Sequence, residues 1–153
     1  MKIYIGTDHA GYDMKEALAS YLEKELGYTV ADMGAHQKDP VDDYVDFISL
    51  VAKEVSHDPD LARGIVLGAS GQGEGVVANR YPNVRCAVYY GGPLDIVKLS
   101  REHNNANMLS LGARFLSLDD AKKAVKLWLE TAFSEEERHV RRLKKIERIW
   151  PYK

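Results

Sequence analysis

Short runs of β-branched and aromatic residues alternate along the chain with stretches in which apolar positions recur every three to four residues. Residues 2–5 read as a first strand, closed by the turn Gly6-Thr7-Asp8, and residues 11–26 as a helix ended by Gly27. A short second strand is predicted at 29–32, followed by a polar loop over 34–43 that contains Pro40. Residues 44–56 then place Val45, Ile48, Val51, Ala52 and Val55 on one helical face. The unbroken Ile-Val-Leu run within 63–67 suits a strand buried on both sides. After it come the glycine-rich turn 68–73 and a helix over 74–80. A fourth strand at 85–90 meets the turn Gly91-Gly92-Pro93, which opens a helix reaching Asn104. A fifth strand at 108–111, a helix at 118–132 and a last helix at 135–150 complete the series.

Five βα units in sequence imply a parallel sheet, because parallel strands need crossovers and the crossovers carry helices to both faces. The expected fold is a doubly wound, three-layer α/β/α sandwich of Rossmann-like type, with one extra C-terminal helix. Residues 1–153 read as one domain, uninterrupted by a Pro/Ser-rich linker, repeat or low-complexity tract. Ligands of such sheets sit beyond the C-terminal ends of the strands, where strand order reverses. Chemistry is therefore expected in the turns after strands one, three, four and five.

Composition narrows the classes. A chain of 153 residues buries enough surface to fold without a disulfide or structural metal, about 70% of what its unfolded form exposes. The single cysteine, Cys86, excludes an internal disulfide and a CxxC redox or zinc site. Neither an apolar stretch of signal-peptide length nor one of membrane-span length is present, so the expected compartment is the cytoplasm, with no membrane partner. The net charge of −2 is uneven: residues 134–153 hold seven Lys/Arg against four Asp/Glu, a local +3 that leaves −5 on the body. Such a tail suits nucleic acid, a membrane surface, a small anion, or simply a solvated helix face.

Spacing separates these readings. Gly68-Ala69-Ser70-Gly71-Gln72-Gly73 lets backbone N–H groups converge at a helix start, which builds an anion cradle. It lacks the Gly-Lys-Ser/Thr end of a phosphate loop, and it does not follow the first strand as a dinucleotide fingerprint would. Glu74 stands beside the cradle, where a general base would be wanted, although a first-turn carboxylate also complements the helix dipole. A helix N-terminus is expected to lower the pKa of Glu74, so desolvation on substrate binding would have to raise it again. Asp8 and His9 occupy the first βα turn, where Asp8 doubles as a helix cap. His103 ends the fourth helix. Asp8, His9, Glu74 and His103 fall on three separate turns without HxH or HxxxH spacing, so no metal or other cofactor is expected. Arg138 and Arg142, at i and i+4, repel by about 0.2–0.5 kcal/mol unless an anion lies between them. Paired guanidinium forks match a phosphate in shape as well as charge. The basic stretch has no interleaved aromatics, so a small phosphorylated ligand fits better than nucleic acid.

Five segments in order, Thr7-Asp8-His9-Ala10-Gly11, Gly68 to Glu74, Arg101 to Asn107, Gly112-Ala113-Arg114 and Arg138 to Arg142, resemble ribose-5-phosphate isomerase type B. The wider family includes galactose-6-phosphate and allose-6-phosphate isomerases. The resemblance spans residues 2–147. It implies a metal-free aldose-ketose isomerase of the pentose phosphate pathway that opens a furanose ring and moves a proton between C2 and C1 through a cis-enediolate. Carried across, Glu74 would take the carbon-bound proton and His103 would open the ring. Ala69, Ser70, Gly71, Gln72 and Gly73 would surround the enediolate oxygen, with Ser70 counted among the catalytic groups. Asp8 would bind hydroxyls, while His9, Asn104, Arg114, Arg138 and Arg142 would bind substrate, mostly around the phosphate. The family builds each site from two subunits, so a homodimer or dimer of dimers is expected, with the basic helix at its interface. One branch uses a cysteine as base at the start of the strand-three turn; this chain has Gly68 there, which matches the glutamate branch. Cys86, on strand four, reads as a small buried apolar residue. Tyr89-Tyr90-Gly91-Gly92-Pro93 has no counterpart among these motifs, and it ends strand four, where it would border the sugar. Isomerases of tetrose or hexose phosphates, and a non-catalytic sugar-phosphate-binding module, are the alternatives. The pairing of Glu74 with His103 argues against the last, because binding alone needs neither a base nor a ring-opening acid.

Overall fold

The computed structural model describes residues 1–149. The strands are β1 (Lys2–Thr7), β2 (Thr29–Asp32), β3 (Ala62–Gly68), β4 (Cys86–Tyr89) and β5 (Met108–Gly112), and the helices α1 (Tyr12–Lys24), α2 (Tyr44–His57), α3 (Gln72–Ala78), α4 (Asp95–Glu102), α5 (Leu118–Glu130) and α6 (Glu137–Glu147). All strand pairings are parallel, in the order β2-β1-β3-β5-β4. The chain leaves β1 toward one side of the sheet and crosses back to β3 on the other. The order therefore reverses between β1 and β3, and the crevice at their C-terminal ends is the place such a sheet offers a ligand.

Strand alternation builds two cores from one sheet. Ile3, Ile5, Ile65, Leu67, Leu109 and Leu111 face α1, α4 and α5, where Leu18, Leu22, Val97, Val125 and Trp128 meet them. Val66 and Met108 face the other way, toward Ile48, Val51, Ala52 and Val55 of α2 and Ala78 of α3. Removing about 25 cal/mol per Å² of apolar surface from water makes these two layers the main term holding the fold.

The expected elements are present with shifted ends. Helix α3 begins at Gln72, two residues before the position periodicity suggests, because the glycine-rich turn is tighter than a loop of six residues requires. The apolar stripe of α2 starts at Ile48: Val45 is 44% exposed, since the first helical turn extends past the strand ends that cover the rest. Helix α6 ends at Glu147, and the predicted continuation to Trp150 runs past the described residues. Among the described residues no helix is long and apolar enough to cross a membrane. Strand β4 is an edge, and Asn79 occupies part of it by donating to the Cys86 carbonyl at 3.0 Å and accepting from its N–H at 2.9 Å.

Candidate active site at the C-terminal edge of the sheet

The turn between β3 and α3 is held open by its neighbour β5. The N–H of Ala113 donates to the Gly68 carbonyl at 2.8 Å, that of Arg114 to Ala69 at 3.1 Å, and the buried Ser110 hydroxyl to Gly71 at 2.6 Å. In a trans peptide the carbonyl and the following N–H point in opposite directions. Fixing these three carbonyls toward β5 therefore turns the N–H groups of Ala69, Ser70 and Gln72 away from it. Gly71 makes the bend at φ +77°, a left-handed conformation that costs glycine nothing. The Ser70 Oγ accepts from the Gln72 N–H at 3.3 Å, so the hydroxyl orders the turn from within.

Glu74 enters this turn from α3 and is only 4% exposed. Its carboxylate lies against the backbone of Gly68, where any Cβ would collide with it. Burial pushes its pKa above the ordinary glutamate value, its own backbone N–H pulls the other way, and the nearby Asp8 charge adds to the rise. The expectation that the helix start would lower this pKa is thus corrected. Desolvation outweighs the backbone before any substrate arrives, because the helix is short and the carboxylate is packed beneath it.

Asp8 follows β1, accepts from the Ala10 N–H at 3.0 Å and is buried, so the capping role is real and leaves its second oxygen for other work. His9 is half-buried beside it. Its Nδ1 lies 2.6 Å from Asp42 Oδ1, and that oxygen also accepts from the His9 backbone N–H at 3.2 Å. The Asp42 hydrogen bond raises the His9 pKa above 6.5; partial desolvation opposes this, the Asp8 and Asp42 charges add to it, and Arg114 works against it. Asp8, His9, Glu74 and Arg114 thus share one electrostatic neighbourhood. The polar atoms of Asp8, His9 and Asp42 fall within 4.8 Å of one another.

His103, Asn104, Arg138 and Arg142 lie elsewhere. Helix α4 starts beyond the C-terminal end of β4 and runs back, so its last residues sit at the opposite, N-terminal edge of the sheet. There Arg85 Nε donates to the Asn105 carbonyl at 2.9 Å and Met108 begins β5 from the Arg85 carbonyl. The five residues of β5 put about 16 Å between that edge and the cradle. The His103 ring stacks on His139 at 4.3 Å between centroids and 11° between planes. His139 is buried, its Nε2 has no hydrogen-bond partner among the described residues and lies 3.9 Å from Glu136 Oε2, and burial lowers its pKa. Arg138 and Arg142 are exposed on α6, with Arg138 Nε held 2.8 Å from Glu136. Beside Asn104 an open groove of about 810 Å³ runs along the edge strand, lined by Tyr81, Cys86, Ala87, Leu143 and Ile146. The residues expected in one site therefore fall into two groups on opposite edges of the sheet.

Several features lay outside sequence reasoning. Asp42 sits in a polar loop with no motif, and only its fold-back onto β1 brings it to His9. Tyr44, the first residue of α2, packs its ring and hydroxyl against Gly73 and forms a wall of the turn. His139 lies inside a segment read for its arginines. The two tyrosines after β4 divide: Tyr89 is buried and donates to the Gly92 carbonyl at 2.9 Å, clamping the turn. Tyr90 is 52% exposed and packs edge-to-face on Phe115 at 6.1 Å, beside Gly112. The half-buried Cys86 thiol is pushed up to about 12 by desolvation, which leaves it protonated at the groove and unfit to act as a base.

Comparison with known proteins gives concordant matches. The family described as Ribose/Galactose Isomerase matches residues 3–146. Ribose-5-phosphate isomerase B of Mycolicibacterium paratuberculosis is 38% identical over 143 residues, covering 94% of this chain and 87% of that protein. Among solved structures, ribose-5-phosphate isomerase B of Clostridium thermocellum is 42% identical with a TM-score of 0.89, covering 97% of both chains. The Mycoplasma genitalium enzyme, solved with bound ribulose-5-phosphate, is 34% identical with a TM-score of 0.91, covering 97% of this chain and 95% of its own.

Proposed function

The chain belongs to the ribose/galactose isomerase family, and from that premise we propose that it interconverts ribose 5-phosphate and ribulose 5-phosphate through a cis-enediolate. The observation that carries the reading is the buried Glu74 carboxylate, its pKa already raised, lying beside Asp8 and under the backbone of the Ser70 turn. A base whose pKa approaches the working pH removes a carbon-bound proton most effectively, and such a group contributes roughly 10²–10⁴ in rate. The electron pair released at that carbon moves onto the carbonyl oxygen, and N–H donors aimed there are worth on the order of 10²–10³ each. The hydroxyl proton on O2 passes to O1 within the enediolate and Glu74 returns the carbon-bound proton to the neighbouring carbon, so aldose and ketose exchange with no net gain or loss of atoms. Asp8 accepts from substrate hydroxyls.

Opening the ring needs a second acid-base group, the role given to His103, and holding the phosphate needs cations. His9 and Arg114 are on the Glu74 edge; Asn104, Arg138 and Arg142 accompany His103 on the far edge. About 16 Å of sheet is too long for one five-carbon sugar to bridge. The reading therefore includes a homodimer in which the far edge of one copy faces the cradle of its partner, with β4, the groove along it and α6 at the contact. A two-fold axis creates two such sites at once.

The test is kcat/KM for aldose phosphates of four to six carbons, in wild type and Glu74→Gln. Ribose 5-phosphate is expected to be best, because each added carbon changes the distance from phosphate to C1 against fixed groups. The glutamine variant is expected to lose at least about 10²-fold in kcat with KM changed little. Near-normal turnover by that variant would remove Glu74 from the mechanism, and a preference for a six-carbon substrate would move the reading to another member of the family.

A further inference from the structure

We propose that Asp42 is a positioning residue, whose buried carboxylate grips His9 through Nδ1 so that the imidazole presents a protonated Nε2 to the anionic end of the substrate. One oxygen, Oδ1, meets both the ring Nδ1 at 2.6 Å and the backbone N–H of the same residue at 3.2 Å. Two contacts on one residue fix its ring and its main chain together. Bonding at Nδ1 leaves Nε2 as the outward nitrogen.

The chemistry of Asp42 favours a cationic partner. Its side chain is only 9% exposed, and Oδ2 is buried with no hydrogen-bond partner among the described residues. A carboxylate so enclosed needs a countercharge, and His9 is its one ion-pair partner among the described residues. The charged groups facing His9 are Asp8, on the preceding residue, Asp42, from the loop, and Arg114, from the turn after β5. The two acids favour the imidazolium, while Arg114 and partial burial oppose it, and the acids prevail. Arg114 beside an imidazolium is a pair of cations, the arrangement a phosphate dianion satisfies.

A capping role does not account for Asp42. The residue that precedes α2 is Asp43, and neither its side chain nor any other caps the helix. The loop that carries Asp42 is instead anchored at its start to the end of β1. Met33 N–H donates to Ile5, Thr7 exchanges two bonds with Gly34 and Ala35, and the fully buried Lys15 ties Asp32 at 2.5 Å to the Ala35 carbonyl at 2.9 Å.

That the anion is a sugar phosphate rests on the function proposed above; the pairing itself does not, and the test separates them. Asp42→Asn keeps an oxygen to accept from the His9 backbone and removes the charge. Side-chain NMR titration of the free protein is expected to put the His9 midpoint above 6.5 in wild type, and to lower it by about one pH unit in Asp42→Asn. Inorganic phosphate should shift the Nε2 resonance of the wild type and do so less at the same pH in the variant. Above pH 7 the variant should raise KM for ribose 5-phosphate about tenfold with kcat changed far less, the loss of one charge-assisted contact. In a His9→Gln background the same substitution should add nothing. An unmoved His9 midpoint, or a KM effect that persists without His9, would overturn the proposal. The NMR readings need no turnover, so they judge the pairing even where the choice of sugar fails.

Discussion

At the scale of the residue, an absent side chain decides where the Glu74 carboxylate can sit. Gly68 has no Cβ, and the space a Cβ would take is filled by the Glu74 carboxylate. A side chain at 68 and a glutamate at 74 in this rotamer exclude each other. Gly68→Ala is accordingly expected to push the carboxylate aside and lower kcat by about 10² or more, since displacements near 1 Å have that effect. Burial of Glu74 also has a stability consequence. Its folded pKa lies above the ordinary value, so the folded protein binds more protons than the unfolded one between those two values, and stability falls as pH rises through that window. Glu74→Gln should therefore melt higher than wild type near neutral pH, by about 2–4 °C for each kcal/mol recovered. The advantage should vanish below the ordinary glutamate pKa, where both side chains are neutral. Melting curves at pH 4 and 7.5 check this. The linkage runs in the same direction at His9: its raised pKa contributes stability below the ordinary histidine value and loses it as pH climbs through the folded one.

At the scale of the element, β5 serves as a buttress more than as a source of reacting groups. Its Ser110 hydroxyl and the two N–H groups just beyond its end hold the Gly71, Gly68 and Ala69 carbonyls of the cradle. Ser110→Ala would remove one of two donors to the Gly71 carbonyl, which also accepts from the Gly75 N–H at 3.1 Å, a change that costs about 0.5–1.5 kcal/mol. The expected outcome is a modest drop in melting temperature and roughly a tenfold fall in kcat, as the turn loses its orientation. An unchanged kcat in the folded variant would show that the other two bonds suffice. At the far end, Arg101 plays a matching part. It donates to Thr131 at 3.1 Å, to Asn105 at 2.9 Å and to Ala106 at 2.5 Å, so the turn bearing His103 and Asn104 is tied to α5 and β5. Burial lowers its pKa to about 10, still far above any working pH, so it stays charged.

At the scale of the whole molecule, the chain's parallel topology separates Glu74 from His103. Helices that return after each strand deliver residues such as His103 to the N-terminal edge, while strand ends deliver Glu74 to the other. In the proposed homodimer, two copies related by a two-fold axis would bring unlike edges together, and the uneven charge of the chain, basic on α6 and acidic in the body, would favour that meeting. Mixing inactive Glu74→Gln with inactive His103→Gln protein, unfolding and refolding together, should restore about a quarter of wild-type activity, because half the dimers are mixed and each mixed dimer has one intact site. No recovery would place both groups of each site on one chain. Ala87→Arg, which puts a charge into the groove along β4, should yield monomers by sedimentation and reduce kcat/KM although Glu74 is untouched.

The order of strands and helices was legible because each element carries its own periodicity, and local pattern needs no knowledge of the rest of the chain. Glu74, Asp8 and the Ser70 turn were legible for a related reason: glycines, a cap and a carboxylate stand next to one another in sequence at strand ends. The tyrosine pair after β4 was visible but divided in use, one clamp and one exposed ring, which side-chain direction along a strand decides. What the sequence determined by itself is thus the parallel fold and the sheet edge at which Asp8, the Ser70 turn and Glu74 gather. Tertiary structure alone decided the sign of the Glu74 pKa shift, since desolvation depends on everything packed around a group and the helix start only on its neighbours. It also decided that Asp42 reaches His9 across 33 positions, and that His103 faces away from Glu74, because distance in a folded sheet follows the path of the chain in space and not the spacing of its motifs.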